Sequence, residues 1–231
     1  MAAPKPIALI SKHSKRSKFS YLFATQVSLV VLFPYLAKPG LSTLVFRILS
    51  ALAFVAAVYA VSDKRVQWII GLFLAAPTAG LNTWVTFHSG SRTLGVLSLI
   101  LTLIFLGFTM IVLLRAVLRA ETVTRDTIYG ALGVYFLMAF VWGIAYMLLE
   151  TLQPGGLSMD AVRHPNHTID WFDCIFYSFV TLTSLGYGDM VPISAQCRSL
   201  SILEAVSGIM YVAVLVARLV GLYSVGNREA Q

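Results

Sequence analysis

The run Thr181-Leu182-Thr183-Ser184-Leu185-Gly186-Tyr187-Gly188-Asp189 combines hydroxyls, paired glycines and a terminal carboxylate, and that combination could coordinate a cation. A cation entering a narrow passage must lose its water, and rows of backbone carbonyl oxygens can replace that shell. Pointing successive carbonyls toward one axis requires backbone angles that a side chain usually forbids, and Gly186 and Gly188 remove that obstacle. Thr183 or Ser184 can add a hydroxyl ligand at the inner end, while Tyr187 can point outward and brace the loop. Asp189, at the outer mouth, can raise the local cation concentration and accept a hydrogen bond from the helix behind the loop.

The elements that must hold this loop lie in a bilayer. The chain is 58% hydrophobic and 12% charged, whereas a soluble domain carries about 25% charged residues. A bilayer core about 30 Å thick needs about 20 apolar residues of helix. Six segments qualify: Ser20–Ala37, Leu41–Val61, Val66–Phe87, Thr93–Val117, Thr127–Leu149 and Ser199–Tyr223. Trp171–Thr183 is too short to cross and directly precedes the Gly-Tyr-Gly run, so the expectation is a re-entrant helix enclosed by protein. The predicted fold is therefore an all-α membrane protein of six transmembrane helices, with a pore helix and loop between the fifth and sixth.

Charge sets the orientation. With the N-terminus inside, inner segments hold 12 Lys and Arg and outer segments hold four, with Arg47 inside the second span, which places both termini in the cytoplasm. The basic N-terminal arm is not expected to be a cleaved signal, because no small-residue cleavage pattern follows Ser20–Ala37. Cys174 and Cys197 form no disulfide framework and read as buried packing residues. Glu150–Asp170, rich in turn formers, reads as an outer loop. Its His164 and His167, with Asp170 and Asp173, are metal-ligating types at spacings that match no standard site.

Thr181–Asp189, followed by Met190-Val191-Pro192 and flanked by a short amphipathic helix and two spans, resembles the pore loop of tetrameric potassium channels. The resemblance implies K⁺ sites at Ser184, Leu185, Gly186 and Tyr187, with Thr183 and Gly188 completing the filter and Thr181, Asp189 and Tyr177 supporting it. It implies a homotetramer, because one filter segment per chain requires three further copies, and passive K⁺ permeation without a cofactor. Ser184 stands where threonine is usual, Leu185 where valine is usual, and Phe176-Tyr177 where an aromatic tryptophan pair often sits. Phe176 cannot donate a hydrogen bond to Asp189; Tyr177 has a hydroxyl that could serve either Asp189 or Tyr187. Gly208 occupies the position at which relatives bend the inner helix, and it equally fits close helix packing. Glu204 is the one acidic residue inside an expected span, readable as a coupling or cavity residue or as a hydrogen-bonded structural one. Both are gating candidates, and Arg218 is expected to snorkel to the interface.

The expected organisation is an N-terminal arm (1–18), a four-helix peripheral domain (19–118), a linker (119–126), a pore domain (127–225) and a short cytoplasmic tail (226–231). The arm and tail point to lipid partners, not to a nucleotide domain or to nucleic acid. Asn82 and Gln26 could bond between helices, and Pro77 could kink its helix. No nucleophile–base pair or metal constellation suggests an enzyme. A weakly selective monovalent cation channel and a non-conducting membrane sensor or assembly subunit are the competing readings.

A six-span layout suggests a voltage sensor, whose fourth span carries regularly spaced arginines, yet Thr93–Leu114 contains no charge. Steep gating requires several charges moving through the field, at about 2.3 kcal/mol per charge per 100 mV. The conductance–voltage relation measured under voltage clamp is therefore expected to be shallow; a curve as steep as that of a voltage-gated channel would overturn this.

Overall fold

The computed structural model describes residues 18–36, 56, 59, 65–87, 91–120, 123–159 and 168–228. Nearly all of the second expected span, Leu41–Val61, lies outside the described residues, as do residues 1–17, His164 and His167. An apolar segment in lipid must satisfy its own backbone groups, which favours helix. The described segments form α1 (Lys18–Leu36), α2 (Arg65–Phe87), α3 (Arg92–Arg119), α4 (Arg125–Leu152), α5 (Trp171–Leu182) and α6 (Ala195–Arg228). Two short strands, β1 (Leu157–Met159) and β2 (Met190–Pro192), complete the elements. Among the described residues, three helical stretches are long and apolar enough to cross a bilayer: Arg92–Arg119, Arg125–Leu152 and Ala195–Arg218. The chain is a mostly helical, multi-pass membrane protein.

Polar caps set the helix boundaries. Thr124 Oγ1 accepts from the Thr127 amide at 3.1 Å and starts α4. At α5, Asp170 accepts from the amides of Phe172 (2.8 Å) and Asp173 (3.0 Å), and Asp173 accepts in return from the Asp170 amide at 2.8 Å. This capping box also puts two carboxylates at the positive end of the helix dipole. Both aspartates, considered as metal-ligating types from their side chains, therefore serve as the start signal of a helix.

The expected outer loop begins later than the sequence suggested. α4 continues through Glu150 to Leu152. The Glu150 carboxylate turns forward to accept from the amides of Gly155 (2.7 Å), Gly156 (3.0 Å) and Leu157 (3.1 Å). This acidic residue thus folds the turn that feeds β1. β1 pairs antiparallel with β2 in the register Leu157↔Pro192, Ser158↔Val191 and Met159↔Met190. The pairing ties the segment after α4 to the one following the Gly-Tyr-Gly run. No strand was expected here, because three-residue strands carry too little alternation to be read from sequence.

Two cores hold the helices. One joins Leu22 of α1, Ala75 of α2, Phe105, Leu113 and Val117 of α3, and Ala131, Val134 and Leu137 of α4. The other joins Tyr146, Leu157, Cys174, Tyr177, Met190 and Cys197 behind the Gly-Tyr-Gly loop. Both cysteines are free and buried there, as expected. Asn82 donates to Thr102 Oγ1 at 3.2 Å and accepts from Ser98 Oγ, linking α2 to α3 as anticipated. Gln26 differs: its side chain is buried with no hydrogen-bond partner among the described residues, so the expected interhelical bond is absent there. α2 runs unbroken through Pro77.

Arginines fasten helix ends. Arg92, at the start of α3, donates to the carbonyls of Thr151 (2.7 Å) and Leu152 (3.0 Å) at the end of α4. Arg218 finds a protein acceptor instead of only the membrane surface, donating to Ala120 O at 2.8 Å beyond the end of α3.

α4 meets α5 where side chains would not fit. A Cβ on Gly143 would lie 2.5 Å from Ile175 Cδ1 and 2.9 Å from Ile175 Cα, and the latter is backbone that cannot yield. Gly143→Val is expected to lower the melting temperature of detergent-solubilised protein, at an overpacking cost of about 1–3 kcal/mol. Gly107→Ala, with nothing within 4 Å of its Cβ, is expected to cause no loss. Equal melting temperatures for the Gly143→Val variant and the wild type would contradict the packing described.

Candidate functional site

The loop begins as α5 ends. The Thr183 amide donates to Phe179 O at 3.1 Å, Ser184 N to Thr181 O at 2.9 Å, and Leu185 N to Val180 O at 2.9 Å. The Thr183 hydroxyl donates to Phe179 O at 2.7 Å, which leaves its oxygen free to accept or to coordinate. Tyr135 of α4 donates its hydroxyl to Leu182 O at 3.2 Å. The terminal carbonyls of α5 are thereby occupied before the chain turns into the loop.

The backbone then alternates in handedness. Ser184 (φ 57°), Gly186 (φ 58°) and Gly188 (φ 79°) are left-handed, whereas Leu185 and Tyr187 are not. Alternating handedness can bring successive peptide groups to one side of the chain, where a regular strand sends them to opposite sides. Gly186 and Gly188 enter this region without steric penalty, as their spacing implied. Ser184 does so at a cost of about 1–2 kcal/mol. The serine is thus a strained point in the run.

The loop is uncovered within one chain. Thr183 through Gly188 are exposed, with Leu185 at 55% and Tyr187 at 65%, while Asp189 is half-buried and Met190 buried. Behind the loop, the Phe176 ring stacks on Tyr187 with centroids 6.3 Å apart and planes at 8°. The aromatic residue that cannot donate a hydrogen bond therefore supports Tyr187 through its face. Tyr177 is turned the other way: its hydroxyl lies 2.7 Å from Ser201 Oγ on α6. Of the two partners open to it from sequence, Asp189 and Tyr187, it takes neither. Asp189 accepts from the neighbouring Met190 amide at 3.0 Å.

The inner face of α5 rests on α6. A Cβ on Gly208 would lie 2.3 Å from Leu182 O and 2.9 Å from Leu182 Cδ1, so glycine is required for this approach. Of the two readings of Gly208, close packing has a direct physical basis here. One turn earlier, Glu204 is fully buried and accepts from Tyr146 Oη at 2.7 Å and from Ser178 Oγ. Its partners were not legible in sequence. A serine in an apolar helix and a tyrosine in a span 58 residues away carry no pattern that pairs them.

Beyond the bonding partners, much of α6 is bare. Ile202, Leu203, Val206, Ile209, Met210 and Val216 are each more than half exposed. Next to the loop, α6 thus carries a long apolar face that the described residues leave exposed.

A loop of alternating handedness, set between a short helix and a long apolar one in a multi-pass chain, is the architecture of an ion-channel pore domain. Residues 128–224 match the family model described as ion channel. The chain is 30% identical to Protein LctB of Bacillus caldotenax over 131 residues, covering 50% of this chain and 92% of that relative. No solved structure matches the chain. The chain belongs to the ion-channel family, which is not an enzyme family.

Gly208→Ala must push α5 and α6 apart or shift Leu182, and it is expected to reduce ion flux from reconstituted protein and to destabilise the fold by about 1–3 kcal/mol. Gly221→Ala, whose Cβ meets nothing within 4 Å, is the control and should retain flux. Flux unchanged in the Gly208→Ala variant would show that the contact with Leu182 is dispensable.

Proposed function

We propose that four copies of this chain form a potassium-selective channel that conducts K⁺ passively through a filter made from residues 183–188 of each copy. The observation that carries the reading is the alternation of left-handed residues at Ser184, Gly186 and Gly188 directly after the end of a short helix. Carbonyls gathered on one side from four surrounding chains would replace the hydration shell of K⁺. Ser184, Leu185, Gly186 and Tyr187 supply the sites, and Thr183 and Gly188 close the two ends. The residues fit this task, since the loop is free of hydrogen bonds that would occupy all its carbonyls and is exposed within one chain.

In this reading α5 is a re-entrant pore helix, α4 the outer helix and α6 the inner helix. The six spans then comprise α1, Leu41–Val61, α2, α3, α4 and α6, with both termini cytoplasmic and the filter opening outside. The peripheral domain (19–118) and the pore domain (127–225) meet through the linker 119–126. Tyr177 braces the pore helix against the inner helix through Ser201 and Thr181 supports the last turn of the pore helix, while Asp189 draws cations to the outer mouth. The exposed apolar face of α6 supports assembly, because a face of that extent in one chain is suited to protein or lipid contact. Membrane lipids cover the outer surface, and the protein resides in the plasma or bacterial inner membrane.

Ser184 favours a second reading. A non-glycine residue held at φ 57° in the filter costs energy, and a loop that relaxes there would admit Na⁺ more readily, giving a weakly selective cation channel.

Reconstitution in a planar bilayer with opposed K⁺ and Na⁺ gradients separates these readings. The reversal potential is expected to follow the K⁺ gradient, and Gly186→Val is expected to abolish the current. A reversal potential near zero would support the weakly selective channel. An absence of current from the wild type, with no effect of Gly186→Val, would support a non-conducting subunit.

A further inference from the structure

We infer that Glu204 is a positioning residue of the filter: its carboxylate locks the inner helix to the pore helix and the outer helix at one point, and so sets where the filter begins. The inference rests on the proposed potassium-channel reading. It goes beyond that reading in assigning ion discrimination to a side chain that touches no ion.

Three elements meet at this one side chain. Glu204 belongs to α6, Ser178 to α5 and Tyr146 to α4, and the carboxylate accepts from both hydroxyls. All three side chains are fully buried. Ser178 Oγ also lies 2.8 Å from Ala139 O of α4, so the hydroxyl's one proton is shared between the carboxylate and this carbonyl. The cluster continues outward: Ser201, one turn before Glu204, lies 2.7 Å from the Tyr177 hydroxyl and 3.3 Å from that of Tyr146, and donates to Cys197 O at 2.8 Å. Rings add to the grip, since Tyr146 and Tyr177 pack edge to face at 5.0 Å.

Apolar packing alone would allow α5 to slide or rotate, because contacts between apolar surfaces have little directionality. Two oxygens of one carboxylate holding hydroxyls on two different helices permit much less. α5 is then held at two levels on α6, by Glu204 to Ser178 and, one turn inward, by Gly208 against Leu182 O. Leu182 is followed at once by Thr183 and Ser184, so a shift at Ser178 carries into the first coordinating residues. Buried carboxylates are costly in a membrane, and a purely structural site is better filled by an apolar side chain. A carboxylate here can hold two donors in fixed positions, which an apolar side chain cannot do.

The test compares Glu204→Leu, Glu204→Gln, Ser178→Ala and Tyr146→Phe in full-length, reconstituted protein. Two readouts are taken: the Na⁺ to K⁺ permeability ratio from bi-ionic reversal potentials, and amide hydrogen exchange across residues 176–188. Glu204→Leu is expected to raise the permeability ratio several-fold and to accelerate exchange across the filter. Ser178→Ala and Tyr146→Phe, each deleting one hydroxyl, should move both readouts in the same direction by less. Glu204→Gln should restore most of the wild-type behaviour, since its amide can accept from Tyr146 and donate to Ser178.

If Glu204→Leu fails to assemble, the two hydroxyl deletions decide the matter on their own. Unchanged permeability ratio and exchange in assembled variants, with a K⁺-selective wild type, would overturn the inference and leave the channel reading intact. A wild type without K⁺ selectivity would overturn the channel reading. In that case exchange across 176–188 still reports the lock, supporting it if accelerated by Glu204→Leu and refuting it if unchanged.

Discussion

The pore domain is organised around the end of α5, a helix of 12 residues whose last residue, Leu182, is only 1% exposed. A helix terminus leaves its last carbonyls without amide partners, and a buried carbonyl with no donor is costly. Every neighbouring element contributes to solving that problem. The loop turns back so that the amides of Ser184, Leu185 and Gly186 reach carbonyls of Val180 and Thr181. Tyr135 crosses from α4 to Leu182 O. Gly143 and Gly208 are glycines because α5 approaches both flanking helices too closely for a side chain. The sharp turn that satisfies the helix also starts the alternating backbone, so the same hydrogen bonds that end α5 begin the coordinating run.

The chain divides its contacts unevenly. Behind the loop, hydroxyls, a carboxylate and aromatic rings are matched to partners within a single copy, as Tyr177 with Ser201 and Phe176 with Tyr187 illustrate. On the other side, the loop and much of α6 are bare. A back that is complete and a front that is open fit a unit whose shape is fixed before it meets its neighbours. On the proposed reading, assembly then brings preformed loops together and does not have to fold them.

Three of the expected spans and the glycine pattern were legible in the sequence because each rests on a local signal. Long apolar runs predict helices, and α3, α4 and α6 lie where those runs do. Gly186 and Gly188 mark left-handed backbone by residue type alone, and both are left-handed. What stayed hidden depends on pairing across distance. Tyr146 and Ser178 meet at Glu204 only because three helices converge there, and β1 finds β2 across the whole loop. Glu150 read as a loop residue by its charge, yet its use of three amides depends on the turn that those amides themselves form. Ser184 shows the limit of residue types, since its left-handed backbone would not be expected of a residue with a Cβ.

α3 is fastened at both ends to the pore domain by arginines that act on carbonyls. Arg92 grips the end of α4 at one extreme, and Arg218 reaches Ala120 from α6 at the other. A strut pinned in this way resists sliding along its own length, because movement in either direction pulls one guanidinium away from its acceptor. α3 is therefore held in register with α4 at one end and with α6 at the other.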